Sequence, residues 1–270
     1  MPELPEVETI ANGLNKRVAG DRIDSVWLGS KPEPLKSSAA EISGALEGAQ
    51  VERVRRVGKH IVFDLASGKA AGGQQWIVHL GMTGQMLVAT PQTETPKHTH
   101  LIAKLASGRE LRFVDPRRFG RLEVRQTGFT GPGAEPLSIS AEEFARLFHA
   151  SKAPVKAALL NQKLLHGVGN IYADEALFRA HVRPRRRANT LTKSELRKLH
   201  AALQKVLRLA IAAGGSSISD YVDADGEAGY FQIQHRAYGR EGKPCLTCKT
   251  PIKKIVVGGR GTHYCPKCQK

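Results

Sequence analysis

Cys245-Leu-Thr-Cys248 and Cys265-Pro-Lys-Cys268, sixteen residues apart, hold all four cysteines of a 270-residue chain. Two CxxC knuckles at this spacing let four thiolates converge on one tetrahedral centre, which suits zinc, and so short a segment could scarcely fold without such a staple. Two disulfides or an iron–sulfur centre would draw on the same residues; the lack of a secretory signal argues against the disulfides. With every ligand position filled by protein, the zinc is structural and holds a hairpin that displays Lys253, Lys254 and Arg260. The reading sets residues 236–270 apart as a module of their own.

Outward from the knuckles the chain remains basic. Residues 240–270 carry 8 Lys and Arg against 1 acid, residues 151–239 carry 14 against 7, and residues 1–150 carry 19 against 17, within a formal charge of +16. A basic surface kept for solubility is one account of this asymmetry; a polyanion partner is the other. Nucleic acid fits better than a membrane, because no Lys/Arg-rich helix with a bulky aromatic face accompanies the charge. At 270 residues, 41% of them hydrophobic, the chain is a folded one, with one large domain or two to three smaller ones. No apolar run approaches the length of a membrane span, and three glutamates in the first ten residues are foreign to a secretory signal.

Toward the N-terminus, Val7, Ile10, Ala11 and Leu14 share one helical face, with Pro5 suited to the first turn. Short apolar runs then recur around Val26, Val54, 61–65, 76–80, 86–88, 101–105, 111–114 and 122–124, predicting eight strands in a sandwich or barrel. Residues 127–136, with three glycines and two prolines, read as a linker. Beyond it the period is helical: Ser140 with Glu143 and Thr192 with Glu195 form capping-box patterns, and Pro154 starts a further helix. Leu196, Leu199, Leu203, Val206, Leu207, Ala210 and Ile211 keep one face until Gly214 and Gly215 stop it, and 214–229 reads as a long loop. The expected architecture is α+β and multidomain: an N-terminal helix with an eight-stranded β-sandwich over 1–134, a helical domain over 135–235, and the zinc hairpin over 236–270.

Five short motifs precede the knuckles: Met1-Pro2-Glu3-Leu4-Pro5-Glu6-Val7-Glu8-Thr9, Lys59 within RRVGKH, HLGMTG from His79 to Gly84, DPRRFG from Asp115 to Gly120, and GVGNIYADE from Gly167 to Glu175. In this order, with the four-cysteine finger last, the whole chain closely resembles the formamidopyrimidine-DNA glycosylase family of base-excision repair enzymes. The resemblance implies a helix-two-turns-helix module around Gly167–Asn170, one structural zinc, a monomer acting on damaged double-stranded DNA, and a cytoplasmic, nucleoid-associated enzyme of bacterial type.

It also implies roles for individual residues. Once Met1 is removed, Pro2 exposes a secondary amine. An α-amino group has a reference pKa of about 7.7–8.0 against about 10.4 for lysine, so far more of it is neutral and nucleophilic at cellular pH. Attack on the anomeric carbon by such an amine leads to an iminium ion, an electron sink that links base removal to strand cleavage. Glu3 is implied as general acid and base, Glu6 as its support, and Lys59 and Arg260 as further catalytic groups that grip the backbone with Asn170. An asparagine opening a helix beside free N–H groups suits an anion, although an N-cap asparagine without ligand has the same sequence. His79 and His98 are implied as neighbouring contacts; either could also be structural.

A base inside the stack is out of reach of a surface amine, so such an enzyme extrudes the nucleotide and fills the gap. Met82, Arg117 and Phe119 are implied as the fillers: an apolar wedge, a cationic donor to the orphaned base, and an inserting ring. Lys156 matches a position associated with the oxidised purine, where an unaided reading gives a solvated helix lysine. Ser217–Tyr221 are candidate base contacts. Two departures stand out: Asn161 where relatives often carry an acid, and Ser216-Ser217 where they commonly carry two threonines. The implied activity is glycosylase and AP lyase on 8-oxoguanine and formamidopyrimidines, with β,δ-elimination. The alternatives are an endonuclease VIII-like preference for oxidised pyrimidines, against which the Arg117–Phe119 loop argues, and a catalytically silent DNA-binding homologue, which a retained Met1 would favour.

Overall fold

The structure, a computed structural model, describes residues 1–66, 73–126, 128–216, 224 and 229–270. The chain forms two compact units, Met1–Thr130 with Gly214–Tyr230, and Gly131–Ala213 with Phe231–Lys270. The partition departs from three consecutive segments. The 214–230 stretch returns to the first unit, and the cysteine hairpin belongs to the same unit as the helices. The expected linker is divided too: Phe129 packs edge-on against His60 in the first unit, whereas an added Cβ at Gly131 would sit 1.7 Å from the His166 ring in the second.

The first unit opens with α1 (Leu4–Val18), on which Val7, Ile10, Ala11 and Leu14 are all buried as their spacing predicts. Eight strands follow: β1 (Ile23–Leu28), β2 (Gln50–Val57), β3 (His60–Ala66), β4 (Gln74–His79), β5 (Gln85–Ala89), β6 (Thr99–Leu105), β7 (Glu110–Val114) and β8 (Arg121–Gln126). They make two four-stranded antiparallel sheets, ordered β1-β6-β7-β5 and β2-β3-β4-β8. Both sheets contribute to one core, with Phe63, Trp76 and Val78 from one sheet and Leu101, Leu111 and Phe113 from the other. Each fully buried aliphatic or aromatic side chain contributes about 1.5–3 kcal/mol to this packing. A helix that the apolar periodicity did not announce, α2 (Ala39–Leu46), stands between β1 and β2 on a complete capping box of Ser38 and Glu41.

The second unit holds α3 (Ala141–His149), α4 (Val155–Leu160), α5 (Asn170–Arg179) and α6 (Lys193–Ala212), then the hairpin β9 (Lys253–Val257) and β10 (Arg260–Tyr264). The Thr192–Glu195 capping box starts α6 as expected, while Ser140 caps the Glu143 N–H of α3. On α6 the apolar stripe from Leu196 to Ala210 is buried. Phe178 of α5 packs with Ala237, Cys245, Ile252 and Cys265 in a small second core. Among the described residues, no helix is long and apolar enough to cross a membrane.

Candidate active site and nucleic-acid interface

In the first unit the N-terminus is tightly held. Pro2 is buried, and Glu3 and Glu6 are 5% and 2% exposed. Glu3 is the N-cap of α1 and forms a capping box with Glu6, whose Oε2 accepts from the Glu3 N–H at 2.8 Å. The other oxygen of Glu6 accepts from the Ser216 N–H at 2.8 Å. One carboxylate thus fastens the segment at Gly215-Ser216 to the residue adjoining Pro2. Gly215 has φ +83°, and a Cβ there would lie 3.0 Å from Glu6 Cγ, so only glycine lets the backbone approach this closely.

Lys59 occupies the two-residue turn between β2 and β3. That turn is tied to α1 through Arg56, whose Nε donates to Glu8 at 2.6 Å and whose Nη1 donates to the Gly58 carbonyl at 3.2 Å. Arg56 and Glu8 both stand inside quoted motifs, RRVGKH and the N-terminal stretch, yet their pairing depends on the fold bringing β2 against α1, which the sequence pattern does not encode.

HLGMTG and DPRRFG form neighbouring turns pinned by Asp115, which is fully buried. Its carboxylate accepts from Thr83 Oγ1 at 2.5 Å, from the Gly120 N–H at 2.8 Å and from the Arg117 N–H at 3.2 Å. Gly81, at φ +63°, has the Phe119 carbonyl carbon 2.5 Å from where a Cβ would stand. With their backbones locked, the turns push three side chains outward: Met82 is 43% and Phe119 50% exposed, and the Arg117 guanidinium stacks 4.7 Å above the Phe119 ring. Neither apolar residue is in the core. His98 is exposed at φ +68°, and its carbonyl accepts from the Asp115 N–H at 3.0 Å. His79 accepts at Nδ1 from the Gly81 N–H at 3.1 Å, and burial, followed by the charges of His60, Lys59 and Arg121, pulls its pKa down to about 4.

In the second unit, two expectations are revised. Asn170 is the first residue of α5 and not its cap; Gly169 is the N-cap, and the Asn170 amide donates to the Gly261 carbonyl at 3.0 Å. Lys156 is not a solvated lysine. Its side chain is fully buried, 2.6 Å from Asp174 Oδ1, and it donates to the same Gly261 carbonyl at 2.9 Å. Asp174 Oδ2 accepts from the His263 N–H at 2.8 Å. Lys156, Asn170 and Asp174 therefore hold the hairpin strand that begins at the exposed Arg260, which faces Val257 across the Gly258-Gly259 turn. Asp174 lies inside a motif quoted for its neighbours, and its importance shows only in the structure, where residues 172–178 of α5 are all buried. Asn161 ends α4 and its Oδ1 accepts from the Lys163 N–H at 3.0 Å, a bond an aspartate would also make. Ser217–Tyr221 lie outside the described residues.

The four cysteine sulfurs lie within 4.8 Å of one another, with Cys245–Cys268 at 3.9 Å and Cys248–Cys265 at 3.4 Å. These separations are far beyond a disulfide bond and bracket the roughly 3.8 Å edge of a tetrahedron with Zn–S bonds of about 2.3 Å. Four thiolates and no oxygen donor fit zinc, with no position left for substrate. Lys253, Lys254 and Arg260 are all exposed on the hairpin beside it.

Three family models match the chain: the formamidopyrimidine-DNA glycosylase N-terminal domain over residues 1–122, the formamidopyrimidine-DNA glycosylase H2TH domain over 131–222, and the zinc finger found in FPG and IleRS over 242–270. A formamidopyrimidine-DNA glycosylase of Desulfitobacterium hafniense is 42% identical over 281 residues, covering the whole of both chains. Among solved structures, a Lactococcus lactis Fpg variant in complex with a Fapy-dG-containing DNA superposes with a TM-score of 0.89 at 33% identity, both chains covered in full. The MutM (Fpg) protein of Thermus thermophilus gives 0.86 at 43% identity over 99% of this chain and 98% of that one.

Proposed function

The chain belongs to the formamidopyrimidine-DNA glycosylase family of DNA base-excision repair, and from that membership we propose that it is a bifunctional enzyme, removing oxidised purines from duplex DNA and then cutting the strand as an AP lyase. Support comes from the relatives, which are named for formamidopyrimidine lesions, one of them in complex with such a DNA. The observation that carries the reading is the Glu3–Glu6 capping box, which holds a buried Pro2 and its adjoining carboxylate at the start of α1.

In this scheme Met1 is removed and the Pro2 nitrogen, no longer an amide, attacks C1′ of the damaged nucleotide. The base departs with the C1′–N bond pair and takes up a proton. Glu3 donates a proton to the sugar ring oxygen, the ring opens, and an iminium forms between Pro2 and C1′. The iminium acidifies the C2′ proton; its removal breaks the 3′ C–O bond by β-elimination, and δ-elimination breaks the 5′ one. Glu3, beside the nitrogen, is placed to shuttle these protons. Lys59 and Arg260 supply positive charge for the phosphates that leave, and Asn170 supports Arg260 through Gly261. Met82, Arg117 and Phe119 fill the space of the extruded nucleotide, and their exposure together on two locked turns supports this role. His98 contacts the backbone nearby. The enzyme acts as a monomer in the bacterial cytoplasm.

Borohydride reduction tests the scheme. An 8-oxoguanine duplex incubated with the enzyme and reductant gives a covalent adduct mapped to the leading peptide, and Pro2→Gly or a blocked N-terminus abolishes most of it. An adduct on an internal lysine, with full cleavage after N-terminal blocking, overturns the assignment.

A further inference from the structure

Beyond the end of α5 the chain turns at Arg183-Pro184-Arg185-Arg186, closed by the Arg186 N–H on the Arg183 carbonyl at 3.2 Å, with Pro184 where its fixed φ presets such a turn. Two neighbours hold the turn. On one side the Val155 N–H of α4 donates to the Arg186 carbonyl at 2.7 Å, and the Ala188 N–H to that of Ala153 at 2.9 Å. On the other, the Arg183 guanidinium donates to the Pro266 and Gln269 carbonyls, both at 3.1 Å, and its backbone N–H to the Lys270 carbonyl at 2.9 Å. The segment before α4, the turn and the second cysteine knuckle thus share one surface of the second unit.

Lys152, Arg183, Arg185, Arg187 and Lys267 are all exposed on it. Residues 151–154, 180–194 and 265–270 contain no acid, and Glu195, which does reach the turn, is spent on Arg186 at 2.5 and 3.1 Å. Among the described residues, the side chains of Lys152, Arg185, Arg187 and Lys267 have no hydrogen-bond or ion-pair partner. Like charges gathered on a fixed scaffold repel and destabilise the folded chain unless a polyanion answers them. The exposed large apolar residues described for this unit, Leu209, Ile233, Leu246 and Val256, all lie outside these segments. A surface of charge without an apolar face suits a phosphate backbone, not a bilayer or an amphipathic peptide.

β10 leads from Arg260 to the second knuckle, so at about 3.4 Å per residue Cys265 stands about 17 Å along the strand from Arg260. We infer that this surface binds the backbone of a second DNA duplex, apart from the one whose phosphates Arg260 faces. The inference rests on the reading of DNA as the ligand. Contacts to phosphates alone carry no sequence information, so binding here is indifferent to sequence and damage and falls with salt. An enzyme that holds one segment by this surface while Pro2 works on another passes between segments without leaving DNA.

The test starts from protein joined by borohydride to a short 8-oxoguanine duplex, which occupies the lesion site, and titrates it with a labelled undamaged duplex followed by fluorescence anisotropy. The adduct is expected to bind the second duplex, and an adduct on a long duplex to bind it equally. Arg185→Gln/Arg187→Gln/Lys267→Gln is expected to weaken this second binding about tenfold or more and to make its log–log salt slope shallower by about 2.7, three phosphates neutralised. Arg183 stays in place because it holds the knuckle. Adduct formation on the short duplex is expected at the wild-type rate. Removing three exposed charges from the first unit, in Lys16→Gln/Lys31→Gln/Lys104→Gln, is expected to leave the second binding nearly unchanged. An adduct that binds no second duplex, one that loses it when the first duplex is long, or an equal loss in the first-unit variant overturns the inference. Slower adduct formation in the second-unit variant overturns it as well, by assigning the surface to the main interface. If the wild type forms no adduct, the lyase reading fails instead, and the stoichiometry of the free protein decides: two undamaged duplexes bound per molecule support the second surface, and one overturns it.

Discussion

Lys156 Nζ lies 2.6 Å from Asp174 Oδ1, with both side chains wholly withdrawn from water. Such a pair is costly to break because the survivor is left charged in a low-dielectric interior. Lys156→Met should therefore lower the stability of the second unit by about 3–5 kcal/mol. Adding Asp174→Asn should restore much of it, since the amide oxygen still accepts the His263 N–H and no orphaned charge remains. Urea unfolding followed by helical circular dichroism checks both, and a single variant as stable as the wild type contradicts the account.

Glu6 satisfies two backbone donors with two oxygens, the Glu3 N–H and the Ser216 N–H. Glutamine offers one acceptor and turns an NH2 group toward the other donor, so Glu6→Gln should cost about 1–3 kcal/mol. It should also slow borohydride trapping at least tenfold, because the Gly215-Ser216 segment loses its anchor to the residue adjoining Pro2. Gly215→Ala attacks the same junction from the other side: a Cβ 3.0 Å from Glu6 Cγ and 3.1 Å from its Oε1, at φ +83°, should cost at least about 1 kcal/mol. Thermal melts and trapping time courses of the two variants, changed in parallel, are the expected result; unaltered trapping in Glu6→Gln would remove the anchor role.

These two junctions mark where the sequence stopped being legible. The strands, α1, α6 and the cysteine hairpin were readable because hydrophobic period and ligand spacing are local signals. α2 was missed although Ser38 and Glu41 announced it, since its eight residues fall among strand-like runs. Lys156 and Asn170 could be named from their motifs, but not their targets. Both donate to a carbonyl more than ninety positions away in the chain. Asp115 and Asp174 act through burial, which a one-dimensional pattern does not encode for a lone acid.

Acid should weaken both units through buried histidines. His79 and His235 have folded pKa values of about 4, lowered chiefly by burial, against about 6.5 when unfolded. Between those values the unfolded chain binds protons that the folded chain refuses. Stability is therefore full above pH 6.5, falls as the pH drops toward 4 and levels off below, by about 1–3 kcal/mol for each ring. Glu195, held at about 2 by Arg186, acts in a lower window: its contribution is present above pH 4.5 and is lost as the pH falls toward 2. Urea midpoints at pH 8, 6, 5 and 4 measure the slope, and His235→Asn should flatten it for the helical unit alone. A slope unchanged in that variant would mean that the burial of His235 is not its source.

Zinc removal should separate folding of the two units. The hairpin's small core is built from Cys245 and Cys265 with Phe178, Ala237 and Ile252, so without metal it lacks both its staple and a sufficient apolar interior. Trp27 and Trp76 both belong to the first unit. Their fluorescence midpoint in urea should thus stay where it is after chelation or in Cys248→Ser, while affinity for an abasic-analogue duplex falls at least tenfold. The salt slope should become shallower as well, because Arg260 loses the β-ladder that presents it and the exposed Lys253 and Lys254 lose theirs. A chelated protein that binds with its original slope would show that the hairpin is not part of the phosphate-contacting surface; a shifted tryptophan midpoint would show that the first unit depends on the metal for its own stability.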